Sequence, residues 1–139
     1  MRRRCALFLA TVGSVFAFAC AAVPLEGTSW RASAIDGRGG ALVPDTEITM
    51  AFGTDGRITG TAGCNRYTAR YVAQGTTLRV ESAALTRMAC LRTGVMEQER
   101  AFVDALAGVT TARVDGDRLE LRREDGTLAV TLRRAVDAQ

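Results

Sequence analysis

The sequence predicts an α+β fold, mainly antiparallel β, with one α-helix packed on the sheet behind an N-terminal signal segment. Three observations predict it. Apolar residues alternate with polar ones at period 2 through most of the chain after residue 28, the pattern of strands with one buried face. Asp-Gly pairs at 55–56, 115–116 and 125–126 punctuate these runs as hairpin turns. One segment alone, 93–108, changes to helical spacing.

The elements follow in order. "SWRASAI" places Trp30, Ala32 and Ala34 on one face, and "EITMAF" alternates Ile48, Met50 and Phe52 with polar or small partners. "RITGTAG" returns after Asp55-Gly56, and "TLRVESA" points Leu78 and Val80 opposite Arg79 and Glu81. In "TGVMEQERAFVDALAG" an apolar stripe runs through Val95, Met96, Phe102, Val103 and Leu106 and includes Glu99. Thr93 is the expected N-cap and Gly108 the expected left-handed terminator. Acids at Glu97 and Glu99 suit the positive end of a helix. The last hairpin faces Leu119 and Leu121 inward, turns at Asp125-Gly126, and returns with Leu128, Val130 and Leu132 inward.

The chain has 139 residues, enough for one domain with one core. Residues 1–19 read as an export signal, 20–27 as a tether, 28–134 as the domain and 135–139 as a tail. "MRRRCALFLATVGSVFAFACAAV" has a basic start followed by an apolar run, the layout of an export signal. Two cleavages fit it. "AFAC" resembles a lipobox, which would make Cys20 the lipidated N-terminus; Ala19 fits, while Phe18 is bulky for its slot. An ordinary Ala-x-Ala site at Ala17–Ala19 or Ala19–Ala21 is the alternative, and an uncleaved anchor is a third reading. Ala21 after the cysteine favours the outer membrane in a two-membrane cell, facing the periplasm; ordinary cleavage would leave a soluble periplasmic or secreted protein.

Charge and composition narrow the function. Arg2, Arg3 and Arg4 supply the whole formal charge of +3, because the remaining 15 arginines balance 15 acids. No nucleic-acid partner is expected of such a neutral domain. The chain has no histidine, the commonest general base and metal ligand, and no lysine for Schiff-base chemistry. No metal, cofactor or catalytic set is expected. With Cys5 in the signal and Cys20 assigned to the lipobox, Cys64 and Cys90 remain as a pair 26 positions apart. An exported domain favours their disulfide. Free buried thiols and a reactive thiol are the alternatives.

"GTSW", "GTAGCNRYTARY", "LTRMAC" and "MEQERAFVDAL", followed by paired C-terminal strands, together resemble the META domain, or META/HslJ, family over about Leu25 to Arg134. The resemblance implies an open, barrel-like antiparallel sheet with one helix and a disulfide at the positions of Cys64 and Cys90. It also implies an exported bacterial protein with links to heat shock, antibiotic tolerance or motility, and no defining enzymatic activity.

The residues after Cys64 are the candidate interaction or structural motif. Asn65 suits a bend or a left-handed turn beside the disulfide. Arg66 more often pairs with an acid than reaches a ligand. Tyr67 and Tyr71 are expected in the core with their hydroxyls at the rim. Arg87, in the apolar context "ALTRMACL", is expected to be buried and paired with Glu97, Glu99 or backbone carbonyls. These readings favour a non-enzymatic envelope module that binds a partner protein or an apolar ligand. A carboxylate-based envelope hydrolase is the alternative, and it requires two acids converging on a cleft. The lipoprotein reading predicts that Cys20→Ala releases the domain from the membrane fraction or blocks its processing. Mass spectrometry finding an unmodified mature N-terminus beyond Cys20 would decide for ordinary cleavage.

Overall fold

The computed structural model describes residues 23–36 and 40–136; the signal segment with Cys5 and Cys20 lies outside the described residues. In chain order the elements are β1 (Ser29–Ile35), β2 (Thr49–Phe52), β3 (Arg57–Thr61), β4 (Arg66–Gln74), β5 (Thr77–Val80), β6 (Ala84–Leu85), α1 (Val95–Ala107), β7 (Thr111–Asp115), β8 (Arg118–Arg122) and β9 (Leu128–Arg134). The barrel-like sheet and single helix are present, and the ring is closed rather than open. Eight strands follow one another as β3-β2-β1-β9-β8-β7-β5-β4, and β4 pairs back onto β3. Closure depends on the length of β4. One of its edges pairs with β3 from Thr61↔Arg66 to Arg57↔Arg70. The other pairs with β5 from Tyr71↔Val80 to Gln74↔Thr77, and with β6 at Tyr67↔Leu85.

Alternation fills the interior. Trp30, Ile48, Met50, Phe52, Ile58, Leu78, Leu119, Leu121, Val130 and Leu132 are buried inside the ring. The core runs from Leu25 to Leu132. One expected facing is corrected. The pairing of β1 with β9 shifts between Ala32 and Ala34, a β-bulge. Ala34 is therefore half-buried and Ile35 takes the inward place. The extra residue exchanges a small methyl for a larger apolar side chain in the core, which is favourable by area.

Helix α1 lies across one mouth of the ring, against β9, β1 and β5. Val95, Phe102, Ala105 and Leu106 are buried, while Met96 is exposed. Both expected helix ends are corrected. The N-cap is Gly94 at φ 84°, with no side-chain cap, so Thr93 does not serve; Gly108 sits at φ −91° in the right-handed region. Its N–H reaches the Ala105 carbonyl, which closes the last turn without left-handed backbone. At the opposite mouth Trp30 donates from Nε1 to Thr28 Oγ1 at 2.7 Å, and the Arg134 guanidinium lies 4.4 Å from the centre of its ring. The N-terminal tether also arrives there, where the Val23 N–H bonds the Gly75 carbonyl in the β4–β5 turn.

Gly60 is fixed by close approach. It occupies an inward position opposite Tyr67, and a Cβ there would collide with the Thr49 carbonyl and with Oγ1 of the same residue. Tyr67 covers the bare backbone and donates its hydroxyl to that Thr49 carbonyl at 2.8 Å. We predict that Gly60→Ala destabilises the domain by about 1–3 kcal/mol or more. Gly108→Ala, whose Cβ would rest 3.7 Å from the Ala105 carbonyl, should not destabilise it. Urea unfolding of both variants checks the contrast, and equal midpoints would refute the close-approach account.

Candidate functional site

The corner is built from three segments that meet at the helix mouth. After β3 the chain turns through Ala62, Gly63, Cys64 and Asn65. Gly63 has φ 113°, and a Cβ there would lie 3.1 Å from Gln98 Nε2. Cys64 is disulfide-bonded to Cys90, with their Cα atoms 6.4 Å apart. Asn65 is 1% exposed and its side chain is a hub. Its backbone N–H donates to Glu99 Oε2 at 2.9 Å, and its Nδ2 donates to Glu99 Oε1 at 2.8 Å and to the Met88 carbonyl at 3.3 Å. Its Oδ1 accepts from Thr86 Oγ1 at 2.9 Å and from the Met88 N–H at 2.8 Å. Asn65 is not among the residues with positive φ. It shapes the corner through hydrogen bonds and not through a left-handed backbone.

Helix α1 supplies the other half. Gln98 and Glu99, adjacent and both buried, point to different loops. Gln98 Oε1 accepts from the Val43 N–H at 2.6 Å and its Nε2 donates to Thr46 Oγ1 at 2.9 Å. Glu99 takes the Asn65 corner. A buried carboxylate is stable only where donors replace water, and Asn65 provides two. Sequence reasoning placed Glu99 in the apolar stripe and offered it to Arg87; the carboxamide one residue past a cysteine was its partner instead. A charged residue inside an otherwise apolar helical stripe is the signal that pointed to it.

These bonds hold one stretch, Thr86 to Arg92, from three sides. Asn65 clamps Met88 at both backbone groups, the disulfide fixes Cys90, and Arg92 donates to the Pro44 carbonyl at 2.6 Å with Asp45 3.9 Å away. The stretch nevertheless displays its side chains. Met88 is 56% exposed and Leu91 99% exposed. Arg87 is exposed and makes no ion pair or hydrogen bond among the described residues, which corrects the expectation of a buried bridge to Glu97 or Glu99. Its backbone is tied down by neighbours on both sides, so the side chain is left to solvent.

Arg66 is exposed too, beside Thr86, whose Oγ1 accepts its backbone N–H at 3.1 Å. Tyr67 is buried, edge-on to Phe102 at 5.4 Å, and burial holds its phenol protonated far above the ordinary range. Tyr71 donates its hydroxyl to the Gly53 carbonyl at 2.9 Å and lies edge-on to Phe52. Among the described residues no three or more Cys, Asp or Glu side chains gather where a metal would bind. Asn65 and Glu99 bond to each other and Asn65 to the Thr86–Met88 stretch, while Gln98 bonds the Val43 N–H and Thr46 Oγ1, so these side chains hold loops in place.

A small antiparallel barrel, capped by one helix through a disulfide-and-carboxamide corner, defines the class of domain. The META domain family matches residues 23–136, and the chain belongs to that family. Solved structures agree in fold. A protein from Burkholderia xenovorans, determined by NMR, is 28% identical with a TM-score of 0.65, over 81% of this chain and 84% of the other. A second NMR structure is 20% identical with a TM-score of 0.60, over 78% and 90%. A DUF4847 family protein from Bacteroides vulgatus is 17% identical with a TM-score of 0.55, over 84% and 96%. No curated protein matches the chain significantly.

The corner generates two predictions. Asn65→Ala keeps the backbone N–H on Glu99 Oε2 but removes the Nδ2 donor from Oε1 and the carboxamide bonds to Thr86 and Met88, and should cost about 2–3 kcal/mol, whereas Arg87→Ala, at an exposed side chain unpaired among the described residues, should stay within about 0.5 kcal/mol of the parent. Chemical denaturation of both decides; a large loss in the Arg87 variant would contradict the exposed placement. Thiol labelling of the folded protein without reductant should modify neither Cys64 nor Cys90, and full labelling of both would exclude the disulfide.

Proposed function

We propose that the chain is a non-catalytic module of the cell envelope, exported and held at a membrane through Cys20, that binds another envelope component through the Thr86–Arg92 loop. The observation that carries this reading is the contrast between the loop's backbone and its side chains. A disulfide, a buried carboxamide and an arginine immobilise it, yet Met88 and Leu91 face solvent. Immobilising exposed apolar side chains offers nothing to the core. It lowers the entropy lost on binding, which favours association. The core packs the barrel's interior with side chains, which supports contact at the surface over an apolar ligand held within. A role in heat shock, antibiotic tolerance or motility is consistent with the family resemblance and is part of the proposal.

The hydrolase reading asks for two acids facing each other across a cleft. Glu99 is engaged by Asn65, and Glu120 by Arg118 and Arg122 at 3.0 and 2.6 Å, so neither is placed for that role. The test is a photo-crosslinking residue at position 91 in cells, with mass spectrometry of both protein and lipid adducts. Adducts at 91 and none at exposed Thr127, in the β8–β9 turn, are expected. Equal adducts at the two positions, or none at 91, would end the loop assignment.

A further inference from the structure

The two walls of the barrel treat their arginines differently. On β1, β9 and β8, Arg31 pairs with Glu47, Arg118 and Arg122 with Glu120, and Arg134 with Asp117; Arg133 alone has no ion pair among the described residues. On β3, β4 and β5 the balance is reversed. Arg57, Arg66, Arg70 and Arg79 are all exposed, and only Arg57 has a carboxylate near, Asp55 at 3.9 Å. Register brings them together. Arg57 lies directly across from Arg70, and Val72 directly across from Arg79. Like charges placed opposite one another repel; among the described residues Glu81 lies beside them, its N–H on the Arg70 carbonyl, and Glu26 of the tether lies near Ala73 at the far end of β4. Arg87 extends the row past β6.

Exposed apolar side chains share this wall. Val72 is 61% exposed in the middle of β4, and Met88 and Leu91 stand beyond its start. The tether reaches the other end, where Val23 bonds Gly75 just past Gln74. Cys20 is three residues upstream, a reach of about 10 Å. From Arg66 to Gln74 the strand covers about 25 Å. A lipid on Cys20 and the Met88–Leu91 tip would therefore mark the two ends of one basic strip of the barrel wall.

We propose that the outer face of β3, β4 and β5, with Met88 and Leu91 at its end, docks on a bilayer containing anionic phospholipid. The arginines would lie at the phosphates, Val72 and the tip would enter the interface, and β4 would run along the membrane plane. The charge fits lipid phosphate, and the tether emerging beside Gln74 holds the same face to the membrane. A single lipid chain binds only weakly, so a basic surface is the second contact that makes attachment durable. This rests on the envelope reading above and specifies the component that the loop meets.

The test uses the mature chain starting at Cys20 and carrying Cys20→Ser, so that no lipid anchor contributes. Co-sedimentation with phosphatidylethanolamine vesicles containing phosphatidylglycerol is expected, with loss in high salt and none on phosphatidylethanolamine alone. Each neutralised arginine should weaken binding about fivefold, so the double variant Arg70→Gln/Arg79→Gln loses on the order of 25-fold. Leu91→Asp should weaken it further, and Arg133→Gln on the opposite wall should not. Failure of the parent to bind, a double variant that binds like the parent, or equal weakening by Arg133→Gln would overturn the proposal. So would photo-crosslinks from position 72 that join protein and never lipid. Mass spectrometry of Cys20 separates the two readings. An unmodified cysteine with vesicle binding intact removes the anchor and leaves the face. A lipidated cysteine on a chain whose Cys20→Ser form ignores vesicles does the reverse.

Discussion

The hydrogen bonds between Glu99 and Asn65 are the constraint on which the corner depends. They join the helix that covers the barrel mouth to the turn that leaves β3, and through Asn65 to the loop before the helix. A carboxylate cannot be buried alone; a carboxamide can both donate to it and accept from elsewhere. Asn65 uses its Nδ2 toward Glu99 and Met88 and its Oδ1 toward Thr86 and Met88. No apolar residue could join three chain segments in this way, and an aspartate would set a second negative charge against the first. The disulfide next door ties the same two segments covalently. It restrains the unfolded chain, whereas the hydrogen bonds select one docking of the helix.

Tyr67 carries the organisation from the corner into the barrel. Two residues past Asn65, its ring packs on Phe102 of the helix while its hydroxyl reaches the Thr49 carbonyl across Gly60. The short stretch from Gly60 to Tyr67 thus sets strand curvature, loop position and helix seating together. That is a physical reason for finding these residue types together at this spacing. Asn65 and Tyr67 are committed to that geometry, while the side chains of Arg66 and Arg87 reach solvent.

Much of this was legible in the sequence. Period-2 alternation and the Asp-Gly turns located the β2–β3, β7–β8 and β8–β9 hairpins, because side-chain facing along a strand is a local property; β4, which begins just past the Cys64 corner, was not read as a strand. Helical spacing located α1 for the same reason. What escaped depends on long-range partners. The bulge that turns Ala34 outward is decided by β9, which lies about a hundred residues away in the chain. Thr93 and Gly108 were read by the usual cap preferences, whereas Gly94 takes the N-cap place at φ 84° and Gly108 closes the helix at φ −91°. Arg87 was judged by its apolar neighbours in sequence, yet those neighbours, Met88 and Leu91, are themselves exposed. Glu99 was offered, with Glu97, as a partner for Arg87, but its hydrogen bonds go to the neutral amide and backbone N–H of Asn65.

The ring is not equally strong around its circumference. Most adjacent strands share several paired positions, but β5 and β7 meet at Thr77↔Thr111 alone, helped by bonds from Leu78 to Thr110 and from Ala112 to Thr76. These two strands are also separated in sequence by the pinned loop and the helix, so their meeting is a long-range join as well as a thin one. Helix α1 touches β5 on one side of that join and β9 and β1 farther round, and so acts as a brace across it. When the domain breathes, the barrel should unroll along this line before any hairpin frays, and its amides there should exchange with solvent first. The stiffness of the circle then depends on whether the helix remains seated, and a side chain of the helix's second turn, Glu99, keeps it there.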